Sequence, residues 1–308
     1  MSGLSAAGFT IERLPEIKTS LEINLTGRLG DVDTREESVN GQFIGISAEK
    51  YALLWQTAED VYYSQYPDSA TDVSLDHVCA LNNVVRRPAT PTQVTATVTG
   101  VPNTLLEEGR ETTNRRTGDV YRMPVSTRIQ AADAIAARVE PVGTAAGDYV
   151  ITIRSVDYTY ASPGGQTANQ ILTGLQAAIA SAVDSAVIEV GALRVTDSAA
   201  MDISVSANLA LSELSVPAAF QAIETGPKPM SAGDLTEIKT PVSGWTAVTN
   251  PSAGVIGADI ETDAALRARR ERSIAGTATA TIDAIFARVR QVPLVTDVNA
   301  LENRGTDT

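Results

Sequence analysis

The hydrophobic period of the sequence changes near Arg87. Before this residue, apolar side chains recur every three or four positions, as in SAEKYALLWQTAEDVYYSQY at 47–66. After it, QVTATVTG alternates strictly, with Val94, Ala96 and Val98 on one side and threonines on the other. Each period places its apolar side chains on one face only in its own kind of secondary structure. The change therefore predicts a multidomain α+β chain, in which an N-terminal helical region precedes a β-rich core.

The N-terminal region is predicted to hold helices with apolar stripes. The first begins at Pro15, which a first helical turn accepts, and its apolar residues are Ile17, Leu21, Leu25 and Leu29. The second spans 47–66, with Ser47 as N-cap and Ile46 packed on Tyr51 as a hydrophobic staple. Its apolar residues share one face: Tyr51, Leu54, Trp55, Ala58, Val61 and Tyr62. A third helix at 74–85 directs four side chains inward: Leu75, Val78, Cys79 and Leu81.

Residues 147–215 form a distinct β-β-α-β pattern inside the β-rich part of the chain. Two alternating runs, 149–154 and 156–160, predict a hairpin, and Thr167 is placed to cap an amphipathic helix. The glycine pair in SPGGQT precedes this helix, but it lacks the lysine and the spacing of a phosphate loop, so a turn is favoured. We interpret the whole run as an insertion.

The chain is accordingly divided into four predicted regions. They are an N-terminal helical region at 1–86, a discontinuous β-rich core at 87–146 and 216–261, an inserted small α/β domain at 147–215, and a helix-rich C-terminal segment at 262–308. Within the last region we expect a helix from about Asp263, a break at 276–281, a second helix at 282–292 and a strand at 294–303.

Charge and composition narrow the function classes. The formal net charge is -13, which opposes nucleic acid and anionic membrane surfaces as partners. The N-terminus lacks a basic region followed by an apolar core, so no signal peptide is expected. His77 and Cys79 are the only residues of their types, which leaves too few ligands for a Cys/His zinc site. We therefore predict no metal, no cofactor and no catalytic residues, with His77 on a helix surface and Cys79 as a buried apolar side chain.

An acidic run, DVDTREE at 31–37, begins like a calcium-binding loop. Such a loop needs Gly at its sixth position and Glu at its twelfth, where this chain has Glu36 and Gln42. A polar linker is favoured instead.

The segment GVIGADIETDAALRARRERSI at 254–274 concentrates positive charge in an acidic chain. Its charged residues are Asp259, Glu261, Asp263, Arg267, Arg269, Arg270, Glu271 and Arg272. On a helix the arginines form two adjacent rows, Glu271 can pair with Arg267, and the acids favour the positive N-terminus. An anion site, a solvated face and a protein-docking surface remain open. The use of arginine rather than lysine favours docking against carboxylates, with Glu261, Asp263, Arg267, Arg269, Arg270 and Arg272 as the candidate interface.

The run TPVSGWTAVTNPSAGVIGADIETDAALRARRERS at 240–273 resembles the signature of baseplate J-like proteins, which are wedge proteins of contractile phage tails and related injection systems. The matching residues are Pro241, Val242 and Gly244, then Val248, Asn250 and Pro251, then Gly257, Asp259, Glu261, Thr262 and Asp263, then Leu266, Arg267 and Arg269. A second block matches at Tyr62, Tyr66, Pro67, Ala70, Thr71, Leu75, Asp76 and 86–90, and a third at 282–303. In GVPNTLLEEG the chain departs from the pattern, with Asn103 replacing Gly and Glu107 replacing Pro.

The resemblance implies a structural role. Copies of the chain would pair and close a ring around a central hub and spike, contact other wedge proteins and the sheath initiator, and rearrange to trigger sheath contraction. The protein would lie in the virion tail baseplate after assembly in the host cytoplasm. Family members continue past the Glu-Asn motif, so 262–308 would begin a further domain.

Two other function classes stay open on the sequence. A tail adhesin for host glycans predicts exposed aromatic side chains on β loops, and the only tryptophans are Trp55 and Trp245. A tail hydrolase predicts paired carboxylates in a cleft, and no motif supports one.

Overall fold

A computed structural model describes residues 2–6, 8–277, 285–286, 289–290, 292, 295 and 297–299. The fold is α+β, as predicted. The chain divides into two compact units, Met1–Arg87 with Glu261–Thr308 as unit 1 and Pro88–Ile260 as unit 2. The finer four-part division stays a prediction. The expected second C-terminal helix and closing strand lie outside the described residues, apart from isolated positions.

The described residues form five α-helices, a short 3-10 helix and sixteen strands. The α-helices are α1 (Leu14–Leu29), α2 (Val39–Tyr63), α3 (Asp72–Ala80), α4 (Ala168–Ile179) and α5 (Asp263–Thr277), and the 3-10 helix is Ala131–Asp133. The first eight strands are β1 (Gly3–Ser5), β2 (Gly8–Thr10), β3 (Pro91–Gly100), β4 (Leu105–Leu106), β5 (Glu111–Asn114), β6 (Val120–Arg122), β7 (Thr127–Arg128) and β8 (Ala136–Pro141). The remaining eight are β9 (Gly147–Ile153), β10 (Val156–Ser162), β11 (Ser185–Glu189), β12 (Ala192–Thr196), β13 (Ile203–Val205), β14 (Leu209–Thr225), β15 (Leu235–Ile238) and β16 (Trp245–Thr249).

The N-cap of helix α2 lies nine residues before the predicted one. The cap is Ser38, whose hydroxyl accepts the Gly41 amide at 3.0 Å, so the predicted cap at Ser47 and the Ile46–Tyr51 staple are wrong. Gly41 is a poor helix former, but a Cβ there would overlap the Arg35 carbonyl. The close approach of this loop therefore explains why a glycine lies inside the first turn.

Helix α3 ends earlier than predicted, and Val84 is buried in place of Leu81. Asn83 takes a left-handed conformation with φ 56°, its amide bonds to Ala80 O, and the Val84 amide bonds to Cys79 O at 3.2 Å. This pairing is a Schellman C-cap, which Asn tolerates best after Gly. Because the chain turns there, Val84 is buried, whereas Leu81 is 85% exposed and its predicted inward position is wrong.

Unit 2 is organised on β14, which lies centrally in a nine-stranded sheet. One edge of β14 pairs along β3, and the other edge pairs with β8 up to Ser215 and with β6 from Gln221. Pro217 lies in the gap between these partners, where the ladder needs no amide hydrogen. The predicted alternation after Arg87 is confirmed in β3, which buries every second side chain from Thr92 onward.

Asn250 joins two strands that have no ladder between them. Strands β15 and β16 lie side by side but pair only with β5 and β3 respectively. The side-chain oxygen of Asn250 accepts the Leu235 amide at 2.8 Å, and its amide donates to Ser231 O and Ser252 O at 2.7 and 2.8 Å. Asn250 is 1% exposed, so this buried amide closes the sheet where backbone pairing stops.

A second, three-stranded sheet in the order β10-β9-β13 packs with α4 in the same unit. The predicted hairpin is confirmed as β9 and β10, and Thr167 caps α4 as predicted, in a capping box with Gln170. SPGGQT is the connection between β10 and α4.

Candidate functional site

Helix α5 is anchored in unit 1 by one buried leucine. Thr262 caps the helix, since its hydroxyl accepts the Ala265 amide at 3.3 Å, and the helix begins at Asp263 as predicted. One turn later Leu266 is fully buried. It packs in a small core with Ala70, Leu75, Cys79 and Val84. This contact fixes which side of α5 faces α3.

Arg269 makes the most extensive ion pair on this side of α5. Its Nε and Nη2 donate to the two carboxylate oxygens of Glu261 at 2.8 and 2.6 Å, and Nη2 also donates to Val85 O at 2.5 Å. Only 9% of the Glu261 side chain is exposed. A bidentate pair of this kind fixes both side chains in one geometry.

Arg86 makes an equally complete set of contacts from the chain segment after α3. Its guanidinium donates to Asp76 at 2.7 Å, to Asp263 at 2.6 Å and to Glu261 O at 2.7 Å. Its side chain is 13% exposed. Arg86 was not among the predicted site residues, because two of its three partners, Glu261 and Asp263, lie 175 and 177 residues away along the chain.

The other arginines of α5 have different hydrogen-bond partners. Arg267 donates to Pro67 O at 2.8 Å and to Ala70 O at 2.7 Å, and not to Glu271. Arg270 donates to the Asn82 side chain at 3.2 Å, and exposed Arg272 donates to Ala268 O of its own helix. We use the term arginine clasp for six residues, namely Arg86, Arg267 and Arg269 with Asp76, Glu261 and Asp263.

Two carboxylates of the arginine clasp, those of Glu261 and Asp263, are held ionised. Hydrogen bonds from Arg269, aided by the Arg87 amide, lower the pKa of Glu261 to about 2. The Asp72 amide and the Arg86 guanidinium lower the pKa of Asp263. A general acid needs the opposite shift, a raised pKa that keeps the carboxyl protonated. The clasp is therefore suited to holding segments together rather than to transferring protons.

This shift predicts a pH dependence of stability. The folded-state pKa of Glu261 lies below its ordinary value of 4.5, so its contribution is complete above that pH and is lost as the pH falls towards about 2. We expect Glu261→Gln to narrow the difference between the free energies of unfolding at pH 6 and pH 3. Urea titrations of both proteins measure this difference. An equal pH dependence of the free energy of unfolding in the two proteins would contradict the lowered pKa of Glu261.

Helix α2 carries apolar side chains on two opposite sides. On the inner side Ile44 and Ala48 are buried, while Trp55 and Tyr62 contact Phe9 with ring centroids 6.0 and 5.4 Å apart. The second set, which we call the outer stripe, is exposed by about half or more and shares helical spacing. Its members are Val39, Phe43, Ile46, Leu53, Leu54 and Val61, with exposed fractions of 84, 72, 61, 49, 67 and 56%.

The outer stripe differs from the predicted single face of 47–66. Of that predicted set, Trp55 and Tyr62 lie on the inner side, whereas Leu54 and Val61 lie on the outer stripe. Exposed apolar patches mark interaction sites on proteins, so the outer stripe is a candidate interaction surface.

The remaining candidates give no second site. His77 is exposed, and burial raises the pKa of Cys79. Within the described ranges, no group of three or more His, Cys, Asp or Glu side chains is placed to hold a metal ion, and no helix is both long and apolar enough to cross a bilayer. Trp245 is 5% exposed and Trp55 lies on α2, so neither is the exposed β-loop aromatic that an adhesin predicts.

Several residues that carry the sequence resemblance lie at close backbone approaches. A Cβ on Gly257 would overlap the carbonyl oxygen of Thr90, and Gly244 has φ 90° and lies so close to Thr104 that a Cβ there would overlap the threonine hydroxyl. Asn103, which departs from the family pattern, has φ 70°. Asparagine is the side chain that best replaces glycine in this conformation, so the departure preserves the turn.

A scan against protein-family models and a search of curated proteins found no match. Among solved structures, the chain is similar to a chain of the cryo-EM structure of the anti-feeding prophage (AFP) baseplate, 6-fold symmetrised. The TM-score is 0.33 and the sequence identity 16%, over 83% of this chain and 52% of that chain. The protein thus spans about half the length of this structural relative.

Proposed function

We propose that the protein is a structural subunit of a contractile-tail baseplate wedge and that it acts by assembly, not by catalysis. In this role it joins other wedge proteins in a ring around the central hub and spike, contacts the sheath initiator, and takes part in the rearrangement that triggers sheath contraction. Its place would be the virion baseplate, after assembly in the host cytoplasm.

The outer stripe of α2 carries this proposal. Six large apolar side chains along one helix would be costly to leave in water, and an assembly partner removes them from it. The resemblance of 240–273 to the baseplate J-like signature indicates that this partner belongs to a contractile-tail baseplate. The lowered pKa values of Glu261 and Asp263 agree with a scaffold rather than a hydrolase.

Under the docking hypothesis, the arginines of α5 have two different roles. Arg267 and Arg269 have their guanidinium groups bound within unit 1. We therefore propose that they, with Glu261 and Asp263, stabilise the folded form of unit 1 that docks to a partner. Arg272 is exposed and Arg270 is half-buried, and these two retain a direct docking role in the proposal. An acidic partner surface would complement them.

Removing two side chains of the outer stripe tests the proposal. We expect Phe43→Ser with Leu54→Ser to weaken assembly with the neighbouring-gene products at least tenfold, because interface anchors of this size contribute about 2 kcal/mol each. Native mass spectrometry of the purified chain with those products measures it.

The matched control is Gln56→Ser, which changes an exposed side chain on α2 outside the outer stripe. It should assemble like the unmodified protein. Circular dichroism of all variants confirms that α2 still folds. Undiminished assembly of the double variant would remove the observation on which the proposal rests.

A further inference from the structure

Strand β10 leaves one side of its backbone unpaired. It joins β9 through the two-residue turn Arg154-Ser155, in which both φ angles are positive, 51° and 66°. In a hairpin of this type the residues flanking the turn, Ile153 and Val156, are hydrogen-bonded to each other. The amide and carbonyl groups of every second residue after Val156 then point away from β9. In the described structure these groups, on Asp157, Thr159 and Ala161, have no hydrogen-bond partner.

The other sheet edges of unit 2 are short or are bridged by side-chain hydrogen bonds. On β11 the Gln176 side chain donates to Ala186 O at 2.7 Å. Strand β13 has only three residues, and Asn250 bridges the edges of β15 and β16. Proteins normally guard edge strands because free edges recruit other strands. Strand β10 has seven register pairs without a bulge, no proline or lysine and a single charged residue, so among the described strands of unit 2 it is the longest edge that no side chain bridges.

We infer that β10 pairs antiparallel with β10 of a second copy of this chain, around a two-fold axis at Thr159. The inference rests on the open edge and not on the proposed baseplate role. A two-fold contact is self-complementary, which is the commonest symmetry of protein dimers. The two three-stranded sheets would become one continuous sheet of six strands.

The sequence of β10 suits this register. Thr159 faces Thr159 of the second copy, Tyr158 faces Tyr160, and Asp157 faces Ala161. Aromatic pairs and threonine pairs are favourable across antiparallel strands, whereas like charges directly opposite are unfavourable. Asp157 is the only charged residue of the strand, it already accepts a hydrogen bond from Thr152 at 2.8 Å, and the register keeps it from its symmetry mate. In a chain of net charge -13, this register sets no two acids of the strand directly opposite each other, so the pairing of two copies brings no local like-charge contact.

The aromatic side chains of β10 are ordered before any pairing. Tyr160 packs against α4 at Gly174, where a Cβ would overlap the tyrosine ring, and its hydroxyl donates to Gln166 at 2.9 Å. Tyr158 packs half-buried on the same core. Little conformational freedom is therefore lost when these rings meet their counterparts.

A proline at the symmetry axis tests the inference. The Thr159 amide points outward, so Thr159→Pro removes no hydrogen bond within the chain but blocks the one at the axis. Thr159→Ala keeps the amide and is the matched control. We expect sedimentation velocity of the full chain to show self-association for the unmodified protein and for T159A, with a dissociation constant at least tenfold higher for T159P at an unchanged Tm. A monomeric unmodified protein at all concentrations, or equal association of T159P, would overturn the inference.

A cysteine crosslink distinguishes this contact from association through the outer stripe of α2. Residues opposite each other at a hydrogen-bonded pair lie about 5.5 Å apart at Cα, within disulfide range. Oxidation with copper phenanthroline should convert Thr159→Cys mainly to covalent dimer, while Val187→Cys on the covered edge β11 should remain monomer, and the native Cys79 is buried. Equal crosslinking of the two variants would contradict the β10 contact while leaving the baseplate proposal to its own test.

Discussion

Replacing Arg269 with alanine is expected to lower the free energy of unfolding by about 3 kcal/mol. The loss comes from the partner left behind, because Glu261 is 9% exposed at its side chain and would remain charged in a largely buried position. Two hydrogen bonds to the carboxylate and one to Val85 O would go with it. Urea unfolding at neutral pH, followed by far-UV circular dichroism, measures the change.

The same helix provides the control. Arg272→Ala removes an exposed arginine whose hydrogen bond is to its own helix at Ala268, so we expect a change within about 0.5 kcal/mol. If R269A and R272A are equally stable but R269A alone fails to assemble with partners, the clasp is an interface and not an internal support.

Replacing Asn250 with alanine is the second change with a large expected effect, also about 3 kcal/mol of destabilisation. The Leu235 amide and the Ser231 carbonyl would lose their partner in a position that water does not reach, since Asn250 is 1% exposed. Asn250→Asp keeps the acceptor for Leu235 and loses both donors, so it tests the two halves of the contact separately. Thermal and urea unfolding measure both variants.

Asn169→Ala is the control for the change of residue type, because Asn169 lies exposed on α4 and its loss should change stability by no more than about 0.5 kcal/mol. Equal stability of N250A and N169A would show that β15 and β16 stay together without the buried amide.

Local patterns predicted much of the fold because their causes are local. The alternation of β3, the β9–β10 hairpin and the Thr167 cap depend on residues within a few positions of each other. The errors at Ser47 and Leu81 have a different origin. At the first, the chain supplied an earlier cap at Ser38, and at the second, Asn83 reversed the chain so that Val84 took the inward position.

Long-range partners set the limit of the sequence analysis at the candidate site. The run of arginines in α5 was recognisable, but the Pro67 and Ala70 carbonyls that bind Arg267 lie 200 and 197 residues away. The role of Arg86 was missed for the same reason. The outer stripe could have been recognised, since Val39, Phe43 and Ile46 continue the spacing of Leu53 and Leu54, but the late predicted start of α2 hid its first half.

The placement of α5 imposes an order on the synthesis of the protein. Residues 72–87 emerge from the ribosome early, whereas Glu261, Asp263 and Leu266, which complete their core and their ion pairs, are made only after the whole of Pro88–Ile260. The Arg86–Asp263 pair spans 177 residues of chain. Unit 2 is therefore available to fold while the N-terminal helices are still without α5, and unit 1 closes only after α5 has emerged.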